Sequence, residues 1–330
     1  MCGMLTPSAA PRLATGLLAA GALALPACGG SDDDATVERA APEAASFPPA
    51  NGRPLQEVLG EADSEGPVVS PAVQVFHKGE KNRFGFGVFT TGGEQITDAE
   101  VAIYFAHGPS GDTKGPFPAR VESLETDPAF ESKTTADDPD AAHVVYVTEV
   151  DFDKNGEWRI GALTRDGDSL QASVVPSAVV GRFADIPRPG DKAPRVNTPT
   201  ADEVGGDLAE IDTRDPPDTM HEHDLADALG KEPVVLLFAT PQLCQSRVCG
   251  PVVDVAEQVK AEYGDDAAFI HMEIYEDNLI DKGLRPQVKA YGLPTEPWLF
   301  VIDEEGRIRI SIEGAFSADE LRRAVEEVTG

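Results

Sequence analysis

The chain has 330 residues and a formal net charge of −31. The length suits about two domains, each able to bury a core. The charge excludes nucleic-acid binding, which needs a basic surface against phosphate, and it fits a highly soluble protein.

The four cysteines are Cys2, Cys28, Cys244 and Cys249. Arg12 precedes an Ala/Leu-rich run at 17–27, too short to cross a bilayer, and no acid occurs before Ser31. The run closes on Leu25-Pro26-Ala27-Cys28, which resembles a bacterial lipobox. The resemblance implies that residues 1–27 are a lipoprotein signal peptide and that Cys28 is acylated and becomes the new N-terminus. It also implies a lipid-anchored protein on the extracytoplasmic face of the cell membrane. Cys2 is then lost with the leader. That compartment permits disulfides, and Cys244 and Cys249 are the pair left to form one.

Residues 28–67 hold few large apolar groups, with Asp32-Asp33-Asp34 and a Pro-rich stretch at 48–54. They are expected to form a disordered acidic tether. From 68 to 184 the pattern changes to short β-type runs at 73–77, 83–90, 99–106, 143–152, 157–163 and 170–175. Phe84, Phe86 and Val88 alternate, as do Val101, Ile103 and Phe105. Thr91-Gly92-Gly93, Lys154-Asn155-Gly156 and Asp166-Gly167-Asp168 supply turns. This spacing predicts an all-β sandwich, with Trp158 in its core. The stretches NRFGFGVFTTGGEQITDAEVAIYFA and GEWRIGAL resemble an immunoglobulin-like module of bacterial envelope proteins.

Residues 185–206 are rich in Pro and Gly and lead into an α/β domain over 185–330. The predicted elements are an extended segment at 208–212, a helix at 223–229 with Gly230 at its end, and a buried strand at 234–238. A helix at 250–263, a strand at 269–274 and a short helix at 285–291 follow. A hairpin pairs 298–303 with 307–312 across Glu304-Glu305-Gly306. Ser317 and Glu320 form a capping box for a last helix at 317–328, whose apolar face is Leu321, Ala324, Val325 and Val328.

The stretch PVVLLFATPQLCQSRVCGPVV, 233–253, places two cysteines between a strand and a helix start, where unpaired N–H groups favour thiolate over thiol. VVLLFAT running into a cysteine turn, Tyr291-Gly292-Leu293 before Pro297, and a strand ending in Asp303 with Gly306 beyond resemble the thioredoxin-like superfamily, nearest its extracytoplasmic redoxin branch. The resemblance implies a cis bond at Pro297, opposite the cysteines, which shapes a groove for a polypeptide, with Trp298 as its floor.

Two departures matter. The usual motif is Cys-x-x-Cys, whereas here Gln245 to Val248 intervene. On an intact helix a five-residue step turns about 500°, leaving the side chains roughly 140° apart and too distant to bond. For the pair to bond, either Cys244 sits in the turn before the helix or the first helical turn loosens. The buried acid that thioredoxins carry before the strand's Phe is also missing, since Leu237 precedes Phe238. Glu296 is a candidate to supply the proton instead, against the ordinary expectation of a solvated glutamate.

The function expected is thiol–disulfide oxidoreduction, with Cys244 attacking, aided by the helix and Arg247, and Cys249 resolving. Partners are protein thiols or disulfides of the cell envelope, and no cofactor is called for. The Cys-x4-Cys spacing also resembles peroxiredoxin Q, whose peroxide-polarising arginine would have to be Arg247 or Arg285. A metallochaperone-like binding protein and a catalytically silent domain with a structural disulfide are the other readings. No metal site is expected: His77, His107 and His143 are scattered, and His221-Glu222-His223 suits a strand edge. Met272 and Tyr275 read as core or strand residues.

Overall fold

A computed structural model describes residues 38–330. Cys28, the leader and the start of the expected tether lie outside the described residues. The N-terminal half contains α1 (Leu55–Leu59), β1 (Ser64–Glu65), β2 (Val68–Pro71), β3 (Lys81–Phe89), β4 (Glu100–His107), β5 (Thr113–Pro118), β6 (Arg120–Ser123), α2 (Lys133–Ala136), β7 (Val144–Asp151), β8 (Gly156–Asp166) and β9 (Ser169–Val180). They build two sheets, ordered β1-β9-β8-β4-β5 and β2-β3-β7-β6. Phe84, Phe86 and Val88 of one sheet bury against Val101, Ile103 and Phe105 of the other, with Trp158 in the same cluster. This is the sandwich that the alternation predicts, immunoglobulin-like as the resemblance implies. The expected strand at 73–77 is not one: that segment pairs with no strand, though Val73 and Phe76 are buried, and β2 holds the sheet edge instead.

Residues 38–67 are not a tether where the structure describes them. Phe47, Leu55 and Val58 pack on Ala102, Tyr104, Ala106 and Leu163, the outer face of the sheet. Gly161 permits this, because a Cβ there would sit 2.7 Å from Leu59 Cδ1. Composition misleads here because a few large apolar groups suffice when a strand already offers an apolar second face. Each buried side chain contributes roughly 1.5–3 kcal/mol.

The C-terminal half contains α3 (Leu225–Ala228), β10 (Val234–Phe238), α4 (Cys249–Tyr263), β11 (Ala268–Met272), α5 (Pro286–Tyr291), β12 (Trp298–Ile302), β13 (Ile308–Glu313) and α6 (Ala318–Thr329). The sheet order is β11-β10-β12-β13, with β10 and β11 parallel and the other pairs antiparallel. A β-α-β unit joined to a β-β-α unit in this order is a thioredoxin-like fold. β10 is buried on both faces, which is why it reads as an unbroken apolar run. Val235 and Leu237 face α4 and α6, while Val234, Leu236 and Phe238 face α3 and α5. The expected extended segment at 208–212 is a turn of 3₁₀ helix, Leu208–Glu210. Ser317 caps α6 through the Glu320 N–H, but the Glu320 carboxylate does not complete a capping box. It takes two hydrogen bonds from Arg83 of β3 instead, at 2.8 and 2.7 Å.

That pair belongs to a seam between the halves. Leu124, Val145 and Val147 of the sandwich share an apolar cluster with α4 and α6. Ser317 donates to Glu122 at 3.0 Å. Asp254 of α4 accepts from Arg214 at 2.8 Å and from the Ser132 backbone and hydroxyl at 3.0 and 3.1 Å. The same guanidinium donates to the carbonyls of Pro216 and Phe130. Asp254→Ala leaves this buried cation without its counter-charge and is expected to cost about 3–5 kcal/mol. A urea midpoint within error of the wild type would contradict that reading of the seam.

Candidate functional site

The cysteines are carried by the connection from β10 to α4. Beyond Phe238, Ala239 N–H bonds back to Met272 O, and the chain leaves the sheet as turns through Val248. Arg247 takes a positive φ of 59°, which folds the loop back before α4 begins at Cys249. Cys244 therefore lies outside the helix, one of the two arrangements the five-residue step allows. The Cα atoms are 6.0 Å apart and the two sulfurs are bonded. Cys244 is 9% exposed and Cys249 is fully buried. It is Cys249, not Cys244, that occupies the first turn of α4. The helix N-terminus thus acts most directly on Cys249.

Arg247 does not serve either sulfur. Its guanidinium pairs with Asp138 and Asp140 of the sandwich, and its carbonyl accepts from Ala142. Arg285 is also engaged, with Tyr275 O, Glu210 O and Asn278 Oδ1. The polar neighbour of Cys244 is Ser246, whose hydroxyl is 3.2 Å from Sγ.

An acid does stand at the site. Glu296 Oε2 is 3.8 Å from Cys249 Sγ. Glu296 is half-buried, and burial followed by repulsion from Glu273 pushes its pKa up to about 8. A hydrogen bond with the Tyr275 hydroxyl opposes that rise. Glu273 is wholly buried, accepts from the Thr213 N–H and hydroxyl at 2.7 Å each, and is itself shifted upward by burial. Tyr275 and Glu273 escape a reading of the sequence as core. The one available signal is a glutamate set inside the apolar run at 269–275.

Glu296-Pro297 is cis, and Pro297 O accepts from Gly314 N–H at 2.9 Å. Trp298 is not a groove floor. It is 3% exposed and packs on Phe300, in the apolar layer on the opposite side of the sheet from the cysteines. Alternation along β12 decides this: Trp298, Phe300 and Ile302 face one way, Leu299 and Val301 the other. The indole N–H bonds Thr295 Oγ1, which donates to Glu313, which in turn accepts from Val75 N–H of the sandwich.

No family model and no curated protein matches this chain. Among solved structures, a thiol:disulfide interchange protein of the thioredoxin family from Chlorobium tepidum TLS is similar at 19% identity. The match covers 43% of this chain and 97% of that one, with a TM-score of 0.30. A DsbF homologue from Corynebacterium diphtheriae matches at 18% identity over 43% of this chain and 90% of that one, TM-score 0.30. The Lin-41 filamin domain matches at 10% identity over 36% of this chain and 99% of that one, TM-score 0.21. Each is a likeness of part of the chain; the assignment of the two folds stands on the strand orders above.

The raised Glu296 has a consequence for stability. Its folded-state pKa lies above the ordinary value of 4.5, so its contribution is fully present below that value and is lost as pH rises through about 8. In the disulfide-bonded protein, Glu296→Gln is expected to be more stable than wild type at pH 9 by about 3–5 kcal/mol and no more stable at pH 5. Urea titrations of both proteins at the two pH values check this. Parallel curves would show that burial does not hold the carboxyl neutral.

Proposed function

We propose that this chain is a lipid-anchored, extracytoplasmic thiol–disulfide oxidoreductase whose working groups are Cys244, Cys249 and Glu296. The observation that carries the reading is a disulfide at the mouth of the central strand with a protonatable, half-buried carboxyl 3.8 Å from one sulfur. Cys244 is the more exposed sulfur and so the one an incoming thiol or disulfide meets. In the reducing direction Cys244 thiolate attacks a substrate disulfide, forming a mixed disulfide and releasing one substrate thiolate. Cys249 thiolate then attacks Cys244 Sγ, re-forming the internal disulfide and releasing the second. Glu296 takes the Cys249 proton before that attack. In the oxidising direction it returns the proton to Cys249 as that sulfur leaves. A carboxyl near pKa 8 can do either at neutral pH, and a fully ionised glutamate cannot donate.

The cis-proline segment opens with Glu296, 3.8 Å from Cys249 Sγ, and is proposed to position the substrate chain. Partners are thiols or disulfides of envelope proteins. The anchor rests on the lipobox-like string ending at Cys28, and its test is loss of the protein from the membrane fraction in Cys28→Ser. The peroxidase reading is not favoured, because Arg247 and Arg285 are both held by other groups.

Three variants of the full chain test the mechanism against a small peptide disulfide. Cys244→Ser is expected to abolish exchange, and Cys249→Ser to accumulate a mixed disulfide on Cys244. Glu296→Gln is expected to slow exchange about 10–100-fold near pH 7, with the deficit shrinking above pH 8. Undiminished exchange in Cys244→Ser would refute the mechanism outright. A Glu296→Gln profile parallel to wild type would remove the acid from it.

A further inference from the structure

A second polar cluster lies on the far side of β10 from the hairpin. His271 sits in the middle of β11, opposite Leu237 of β10, and its backbone N–H bonds Met220 O at 2.9 Å. That bond lays the loop 211–221 along the open edge of β11. The loop brings Asp212, Asp218 and His221 to His271, with candidate donor atoms of all four within 4.8 Å of one another. Exposure is 3% for Asp212, 1% for Asp218, 2% for His221 and 1% for His271.

The hydrogen bonds leave one member unaccounted for. Asp212 accepts from the N–H groups of Arg214 and Asp218, and Asp218 from that of Met220. His271 Nδ1 is 2.7 Å from Asp218 Oδ2, and its Nε2 is 3.1 Å from Ala239 O. Neither ring nitrogen of His221 has a hydrogen-bond partner. A buried polar group left so costs roughly 1–3 kcal/mol, and the imidazole points into the two carboxylates. Its Nε2 is 3.4 Å from Asp212 Oδ2 and 3.4 Å from Asp218 Oδ1. Four ligands at Zn–N and Zn–O lengths of about 2.0–2.1 Å stand about 3.3–3.5 Å apart on a tetrahedron's edges.

We propose that Asp212, Asp218, His221 and His271 bind one divalent transition cation of the zinc type in a closed, four-coordinate site. Two carboxylates balance the charge of the ion, and two imidazoles with two carboxylates suit zinc better than calcium or magnesium, which take six or more oxygens. The Ala239 carbonyl holds His271 with Nε2 protonated, which leaves Nδ1 as the ligand atom. The proton now shared between Nδ1 and Asp218 leaves for solvent when the cation enters. The site would fasten the loop 211–221 to β11 and to Ala239, where the chain departs toward Cys244. It is independent of the redox reading, and His223 takes no part in it.

The test uses the full chain with the Cys244–Cys249 disulfide intact, free thiols alkylated and metal stripped by a chelator. Zn²⁺ titration by calorimetry is expected to show one site, with an enthalpy that varies with the buffer's protonation enthalpy. Co²⁺ is expected to give the visible bands of a four-coordinate nitrogen–oxygen site without a sulfur charge-transfer band. His221→Ala with native circular dichroism is expected to weaken Zn²⁺ at least tenfold. Absence of stoichiometric uptake by wild type overturns the site, as does undiminished affinity in His221→Ala. If that variant does not fold, the wild-type cobalt spectrum decides, and a six-coordinate or sulfur-ligated spectrum counts against the proposal.

Discussion

The C-terminal half depends on one strand. β10 is buried on both faces and hydrogen-bonded on both edges, so nothing about its position is negotiable. Whatever follows Phe238 starts from a fixed point at the end of the sheet. The cysteine turn begins there, the Ala239 carbonyl that orients His271 lies there, and the partner strand β12 begins at the cis-proline segment beside it. A rigid origin of this kind lets a loop hold reacting atoms at useful distances.

The five-residue interval between the cysteines has consequences for their chemistry. With Cys249 in the first helical turn and Cys244 ahead of it, the two thiols are unlike. One is more exposed and outside the helix, and the other is buried with its sulfur against the helix terminus and Glu296. Desolvation opposes the thiolate at Cys249 while the helix terminus favours it. Glu296 stands 3.8 Å from that sulfur, with its pKa raised by burial.

The sandwich is more than a spacer. Its α2 region and β3 meet α4 and α6 through the Ser132 N–H to Asp254 bond and the Arg83–Glu320 ion pair. Arg214 with Asp254, and Arg83 with Glu320, are satisfied by hydrogen bonds from both halves. Removing one partner is costly because the other charge stays in place. Arg247 follows the same rule: its pairing with Asp138 and Asp140 ties the cysteine loop itself to the sandwich.

Most elements of the C-terminal half, and β3, β4, β7, β8 and β9 of the sandwich, were legible in the chain. Alternation in β3 and β4, the unbroken apolar run of β10 and the Ser317 cap are local signals, each written within a dozen residues. The cysteine spacing excluded a disulfide across an intact helix; that Cys244 stands ahead of the helix, and not in a loosened first turn, was decided by the structure. Tertiary structure alone decided what lies beside what. The burial of Phe47, Leu55 and Val58, the side of the sheet that Trp298 faces, the capture of Arg247 by the sandwich, and the meeting of His221 with His271 each join segments far apart in sequence. No periodicity encodes such contacts. A side chain's protonation and partners follow from the dielectric and the charges around it, and these exist only once the sheets have closed.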